Sequence, residues 1–337
     1  MSPARNAVIV GDAATEMARL REASIDMVLT SPPYFRLRNY QTAGQIGLEP
    51  HVDQWVGHLR AVAAEVARVL TPTGSFWLNL ADTYSTHHRQ GAARKSLLLG
   101  PERVLLALQR DGWLVRNKIV WAKTNAMPVS VRDRFSCTHE VIYLLTRSPR
   151  YFFDLDAIRV PMTSRASPAV SAPSHLADIP RRWRGPNTGS DSGLAALKRA
   201  GRTGHPLGKN PGDVWPLATS GYRGHHHATF PVPLAERAIQ AGCAEARCRN
   251  CRAPWCRTLI RSLGGSALRG TLSPTCDCGG PSEPGLVLDP FFGAGTTGVA
   301  AERHGRDWLG VELNPTFAAL ARRRIWEARA GPTLRAS

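Results

Sequence analysis

Leu286-Val287-Leu288-Asp289-Pro290-Phe291-Phe292-Gly293-Ala294-Gly295-Thr296-Thr297 reads as a strand, a glycine turn and the start of a helix. Gly293 and Gly295 let the backbone approach a ligand closely. The N-terminus of the helix that follows favours negative or carboxylate-bearing groups. Beyond Gly298, Glu312 ends a second apolar strand, Trp308-Leu309-Gly310-Val311, where an acid can accept both hydroxyls of a ribose. Strand, turn, helix, strand and terminal acid within about 25 residues point to a nucleoside cofactor. Gly298, three past Gly295, keeps a dinucleotide open as an alternative. The opening Asp289-Pro290-Phe291 weighs against it, because it adds a carboxylate where a pyrophosphate would sit. A carboxylate there suits a ligand carrying a positive ammonium, such as S-adenosylmethionine.

A second stretch lies far upstream. Ile25–Thr30 is an apolar run that reads as a buried strand, and it delivers Ser31-Pro32-Pro33-Tyr34. Two prolines fix φ and remove two backbone donors. What remains is a pair of carbonyl acceptors, a small hydroxyl before them and an aromatic face after them. Such a corner can accept from an amino group and stack a flat ring; its blander reading is a turn that ends a strand.

Around these stretches the chain has the grammar of a mostly parallel α/β sheet. Ala7–Val10 is a strand closed by Gly11-Asp12, and Ala13–Arg21 a short helix. Phe35–Leu48 is a polar loop over the site. Apolar residues from Trp55 to Leu70 repeat at helical spacing and predict a helix over Asp53–Leu70, stopped by Thr71-Pro72-Thr73-Gly74. Ser75–Leu80 is the next strand and Pro101–Arg110 a helix. Leu114–Trp121 and His139–Thr146 are strands that would make an antiparallel hairpin at the sheet edge. Pro233–Gln240 is helical, and Thr296–His304 and Pro315–Ala328 are helices on either side of the Trp308 strand.

The formal charge of the 337 residues is +17, which predicts a polyanionic partner, nucleic acid ahead of an acidic membrane surface. From Arg159 to Arg261 there are sixteen Lys or Arg against five Asp or Glu. Pro161–Arg223 is rich in Pro, Gly, Ser and Arg and has no apolar period. It reads as a DNA-contacting region, partly mobile, with a disordered linker as the alternative. No run of about 18 apolar residues appears, so no membrane span is predicted. The N-terminus has no signal-peptide core, so a cytoplasmic, nucleoid-associated protein is expected.

The two stretches together resemble the S-adenosylmethionine-dependent amino-methyltransferases of DNA, the cytosine-N4 and adenine-N6 family. With Ser31–Tyr34 first and Asp289–Thr297 near the C-terminus, the order resembles the permuted beta group. His226-His227-Ala228-Thr229-Phe230-Pro231 matches the family's motif upstream of the cofactor strand. The resemblance covers about residues 6–160 and 225–328. It implies a Rossmann-like methyltransferase sheet and double-stranded DNA as substrate, with the target base flipped out. It implies that the backbone carbonyl of Ser31 or Pro32 accepts from the amine and that Tyr34 stacks on the ring, with Pro33 holding the turn. It implies that Phe291, Gly293, Gly295, Pro290 and Thr296 line the cofactor and that Glu312 holds its ribose. Asp12 would lie beside the adenine, Asp289 near the methionine ammonium, and Phe230 on the other side. Ser at the first position favours cytosine N4 over adenine N6. An RNA or protein amine methyltransferase, and a silent zinc-containing DNA-binding protein, are the competing readings. A restriction endonuclease partner and the choice of monomer or dimer are not readable.

Seven cysteines in a cytoplasmic chain argue for metal or free thiols. Cys248-x2-Cys251 and Cys276-x-Cys278 give two close pairs that suit a structural zinc, with Cys243 and Cys256 as substitutes. The expected layout is a catalytic half over 1–160, a target-recognition region over 161–224, a cofactor half over 225–242 and 284–330, and a cysteine-rich insertion over 243–283.

Overall fold

The computed structural model describes residues 4–161, 205–219, 230–261 and 267–330. Residues 162–204 and 220–224 of the expected target-recognition region, and 226–229 of the motif before the cofactor strand, lie outside the described residues.

The chain begins with β1 (Ala7–Val10), α1 (Ala13–Ala18), β2 (Ile25–Thr30), α2 (Val52–Val69), β3 (Leu70–Leu80) and α3 (Gly100–Arg110). It continues with β4 (Leu114–Lys123), β5 (His139–Thr146), β6 (Val214–Leu217) and α4 (Val232–Gly242). Next come β7 (Ala246–Cys248), β8 (Trp255–Arg261), β9 (Ala267–Pro274) and β10 (Ser282–Pro284). β11 (Leu286–Asp289), α5 (Thr296–Arg303), β12 (Asp307–Glu312) and α6 (Pro315–Arg329) complete it.

Eight strands form one sheet in the order β1-β12-β11-β2-β3-β5-β4-β6. The first five are parallel, and β5 runs antiparallel to both β3 and β4. The expected hairpin therefore exists, but it is not the edge. β6 pairs parallel with β4 and covers it, with Trp215 against Trp121 in register and buried. Pro216 fits this place, because a strand proline is tolerated on an edge.

Alternate residues of the strands build the core. Val28, Phe76, Leu78, Leu80, Leu286, Leu288, Leu309 and Val311 join one apolar cluster with α1, α2 and α3. Trp55, Leu59, Val62, Val66 and Val69 of α2 are buried in it, as their helical spacing requires. α4 packs on β2 and β3, and α5 packs between α4 and α6. The stop expected after α2 is instead the start of β3. Ile25 pairs with Leu70 and Met27 with Ser75, so three extra residues of β3 are absorbed in a shift of register.

Two compact units are resolved. One holds the described residues up to Asp154, Gly212–Cys256 and those from Leu272 onward, and so contains the whole eight-stranded sheet. The other holds the described parts of Leu155–Pro211 and Arg257–Thr271. In it, Val160 bridges Lys209, and the arms of β8 and β9 pair with each other. Among the described residues no helix is long and apolar enough to cross a membrane.

Candidate active site

The chain leaves β1, β2, β3, β11 and β12 at the same end of the sheet. Open α/β sheets bind ligands at this end, where the strand order reverses. Here the reversal falls between β11 and β2. Two cavities open there, and Ser31, Tyr40 and Phe230 line both of them.

The first cavity holds about 850 Å³ of empty space, solvent at its mouth included. Asp12, Phe230, Asp289, Pro290, Phe291, Gly293, Thr296 and Glu312 all line it. Gly295 does not; it is the left-handed cap of α5, at φ 75°, and a Cβ there would lie 2.9 Å from the Cβ of Ala321. Gly298 has a packing reason too, since its Cβ would meet Ile325 at 2.6 Å and Phe292 at 2.8 Å.

Glu312 accepts the Gly293 N–H at 2.7 Å on one oxygen and the Asn314 N–H at 2.9 Å on the other. The carboxylate is thus fixed at the cavity wall with lone pairs to spare. Burial pushes its pKa up, against the pull of those backbone donors. Asp289 is more enclosed. One oxygen accepts from the Thr30 hydroxyl at 2.6 Å and the Phe291 N–H at 3.1 Å, and the other from the Thr297 hydroxyl at 2.6 Å. Burial raises it to about 6 despite these donors. Asp12 caps α1, accepting from the Thr15 N–H at 2.9 Å. Sequence reasoning missed the opposite wall, where Tyr40 meets Phe317 edge-on at 6.2 Å and Asn314 donates to Thr42 at 3.0 Å.

The second cavity is built on the proline corner. Its carbonyls are not equivalent. Pro33 accepts from the Trp55 indole at 2.9 Å, and Tyr34 accepts from the Leu37 N–H. No donor among the described residues reaches the Pro32 carbonyl. Tyr34 is held by its hydroxyl, which donates to Glu140 Oε2 at 2.5 Å and lies 2.9 Å from Ser31 Oγ. Asn79 Nδ2 donates to Tyr34 at 2.8 Å and to Glu140 at 2.7 Å, and reaches Ser31 at 3.3 Å. The other Glu140 oxygen pairs with Lys123 Nζ at 2.7 Å. Burial first and the Glu140 charge second push the Tyr34 pKa well above the phenol range, so it stays a neutral donor.

Asn79, Lys123 and Glu140 were not singled out in the sequence. The available signal was a lone polar residue in an apolar strand: Asn79 in Phe76–Leu80 and Glu140 before Val141–Leu145. Such residues need partners when buried.

Beside β11, the strands β7 and β10 pair as a small sheet. It brings the sulfurs of Cys248, Cys251, Cys276 and Cys278 within 4.8 Å of one another. None of the four is in a disulfide. Cys243 and Cys256 are outside the group. The donor set is that of a closed tetrahedral thiolate site. Buried Arg247 ties this insertion to the sheet, pairing with Asp26 at 2.7 Å and Glu283 at 2.9 Å, while Asp26 also accepts the Leu286 N–H at 2.7 Å.

A five-stranded parallel run continued by antiparallel strands, with two cavities at the strand ends, is the architecture of an α/β methyltransferase. Solved structures agree. The cytosine-N4-specific PvuII DNA methyltransferase superposes with a TM-score of 0.58 over 98% of this chain and 93% of that one, at 17% identity. The Thermus thermophilus protein TTHA0409, described as a DNA modification methylase and solved with S-adenosyl-L-methionine, gives 0.53 over 97% and 95%, at 24% identity. In sequence, the type II methyltransferase M.XycI of Xanthomonas campestris pv. cyanopsidis is 32% identical over 94% of this chain and 86% of its own length. M.SmaI of Serratia marcescens is 30% identical over 96% and 91%. The profile of the N6/N4 DNA methylase family matches residues 25–323. The chain belongs to this family and is a DNA methyltransferase.

Proposed function

We propose that this enzyme transfers the methyl group of S-adenosylmethionine to the exocyclic N4 amine of a cytosine flipped out of double-stranded DNA. The observation that carries the reading is the proline corner. It begins with Ser31, offers the Pro32 carbonyl as an acceptor that no donor among the described residues reaches, and shares Ser31, Tyr40 and Phe230 between the two cavities. A base amine held there would face a donor held next door.

S-adenosylmethionine, when bound, supplies an electrophilic methyl group on a sulfonium. Glu312 would accept its ribose hydroxyls, Asp12 would lie at its adenine, and Asp289 and Phe230 would flank its methionine end. The Pro32 carbonyl and Ser31 would accept the two amine hydrogens, drawing the nitrogen toward tetrahedral geometry and freeing its lone pair. Tyr34, anchored through its hydroxyl, would present its ring to the base. No side-chain nucleophile is needed: positioning and dipoles aimed at the developing charge supply the acceleration. The nitrogen would take the methyl group as the methyl–sulfur bond breaks, leaving a neutral thioether, and would then lose its extra proton to solvent. A charge of +17 supports phosphate-backbone binding. Cys248, Cys251, Cys276 and Cys278 would hold a structural zinc that braces the insertion.

Single-molecule sequencing of DNA from cells producing the protein tests the reading. N4-methylcytosine in one sequence context is the expected result. N6-methyladenine would replace cytosine by adenine, and unmodified DNA with cofactor binding intact would overturn the catalytic reading.

A further inference from the structure

Lys123 lies at the end of β4 and lines the second cavity together with Ser31, Pro32, Tyr34 and Asn79. Its ammonium is held at two points. It pairs with Glu140 at 2.7 Å and sits 5.2 Å from the centre of the Trp121 ring. Glu140 is itself fixed, because its other oxygen accepts from Tyr34 and Asn79. The side chain is 22% exposed, so the cation is neither free in solvent nor sealed in the core. An ammonium has three donors and no acceptor. Glu140 engages one, and no second hydrogen-bond acceptor for the ammonium is found among the described residues.

A cation cannot serve the amine that is to be methylated, since that group is itself a donor. It suits the acceptors beside the amine on the base edge. Cytosine presents two there, N3 and O2; adenine presents N1 and then a C–H. We infer that Lys123 reads the Watson–Crick edge of the flipped base, donating to the ring nitrogen next to the reacting amine and, in cytosine, to O2. Glu140 fixes the direction of the ammonium. It also balances its charge, so the edge is read without drawing off the electron density that the amine needs. This rests on the proposal that the target is cytosine, and it makes Lys123 a determinant of cytosine over adenine.

The test is a functional-group cycle on duplexes carrying the site found by sequencing. The target is cytosine or 3-deazacytosine, which lacks the N3 acceptor, and the enzyme is wild type or Lys123→Met. Any intrinsic change in the amine of the analogue appears with both enzymes, so the coupling isolates the contact. For wild type, kcat/KM should fall about 10- to 100-fold on removal of N3, the range of a hydrogen bond to a charged group. Lys123→Met should lose at least that factor on cytosine and a smaller one, that of the O2 contact alone, relative to wild type on 3-deazacytosine, with cofactor titration unchanged as the check on folding. Two losses that multiply would overturn the contact. So would a Lys123→Met defect that is equal on both bases and lowers the salt dependence of binding, which marks a phosphate contact. If sequencing finds N6-methyladenine, the cytosine reading falls by itself, and the same cycle with 1-deazaadenine decides whether Lys123 donates to the ring nitrogen.

Discussion

The indole N–H of Trp55, in the first turn of α2, is bonded to the carbonyl of Pro33 at 2.9 Å. The pair ties the proline corner to the helix most deeply seated in the core. It also occupies one of the corner's carbonyls, while that of Pro32 has no donor among the described residues. Trp55→Phe should keep the fold and lose this tie. We expect kcat to fall about 10- to 100-fold, the scale of a misplaced reacting group. The dissociation constant of S-adenosylmethionine should change far less, because Trp55 does not itself line the first cavity and meets it only through Pro33. Steady-state kinetics with a cofactor titration check it.

Glu312→Ala should weaken S-adenosylmethionine by about 100-fold. The side chain would make charge-assisted bonds to two hydroxyls. Its loss also leaves the Gly293 and Asn314 N–H groups without their acceptor. Calorimetric titration reads it, and an unchanged constant would remove Glu312 from the ribose.

Asp289 should impose a pH dependence on cofactor binding. Its carboxyl is raised from 3.8 to about 6, chiefly by burial. A folded pKa above the unfolded one means that the folded protein holds this proton more tightly. The group's stabilising contribution is therefore full below about pH 4 and is lost as pH rises through about 6. Binding of an ammonium runs the other way, because it needs the ionised form. Affinity should fall by up to about tenfold per pH unit below pH 6, and Asp289→Asn should flatten that slope. Titrations between pH 5 and about 8 decide it; a slope retained in the variant would assign it to another group, Glu312 first.

Arg247→Met should destabilise the protein by about 3–5 kcal/mol, the cost of stranding a buried charge. Arg247 is 2% exposed and pairs with both Asp26 and Glu283. Burial already pushes the Asp26 carboxyl up. Protonation can relieve the stranded carboxylate, so the loss measured by urea unfolding should be smaller in mild acid than at neutral pH.

Metal analysis of the purified protein should find one zinc per chain. Cys276→Ser and Cys248→Ser should each lose it and lower the unfolding temperature, and chelation of wild type should reproduce the effect. Protein with no zinc and an unaltered melt in the variants would leave four ordinary thiols.

The two motifs and most of the sheet were legible because they are local. A strand, a glycine turn and a helix start fall within Leu286–Thr297, and apolar spacing marks α2 without help from distant residues. The wall of the second cavity was not legible, because it is assembled by pairing. The register of β4 with β5 sets Trp121 opposite Glu140 and so brings Lys123 alongside. Tyr34 meets Glu140 across 106 positions of chain. Thr30 becomes a partner of Asp289 only once β2 lies beside β11. β6 escaped notice for a different reason: four residues, one of them proline, are too few to show a period.

The strand order carries a consequence for how the molecule comes into being. β1 touches the sheet only through β12, its Ala7 facing Leu309, and one side of β2 waits for β11, its Met27 facing Val287, so both early strands need partners made far later in the chain. Contacts of such separation are slow to form and leave sheet edges open meanwhile. A chain still on the ribosome would carry Ser31–Tyr34 but not the wall that faces it. The capacity to mark DNA would then switch on in one step, once β11 and β12 have been made, and fragments cut short before β11 should be inert and prone to associate.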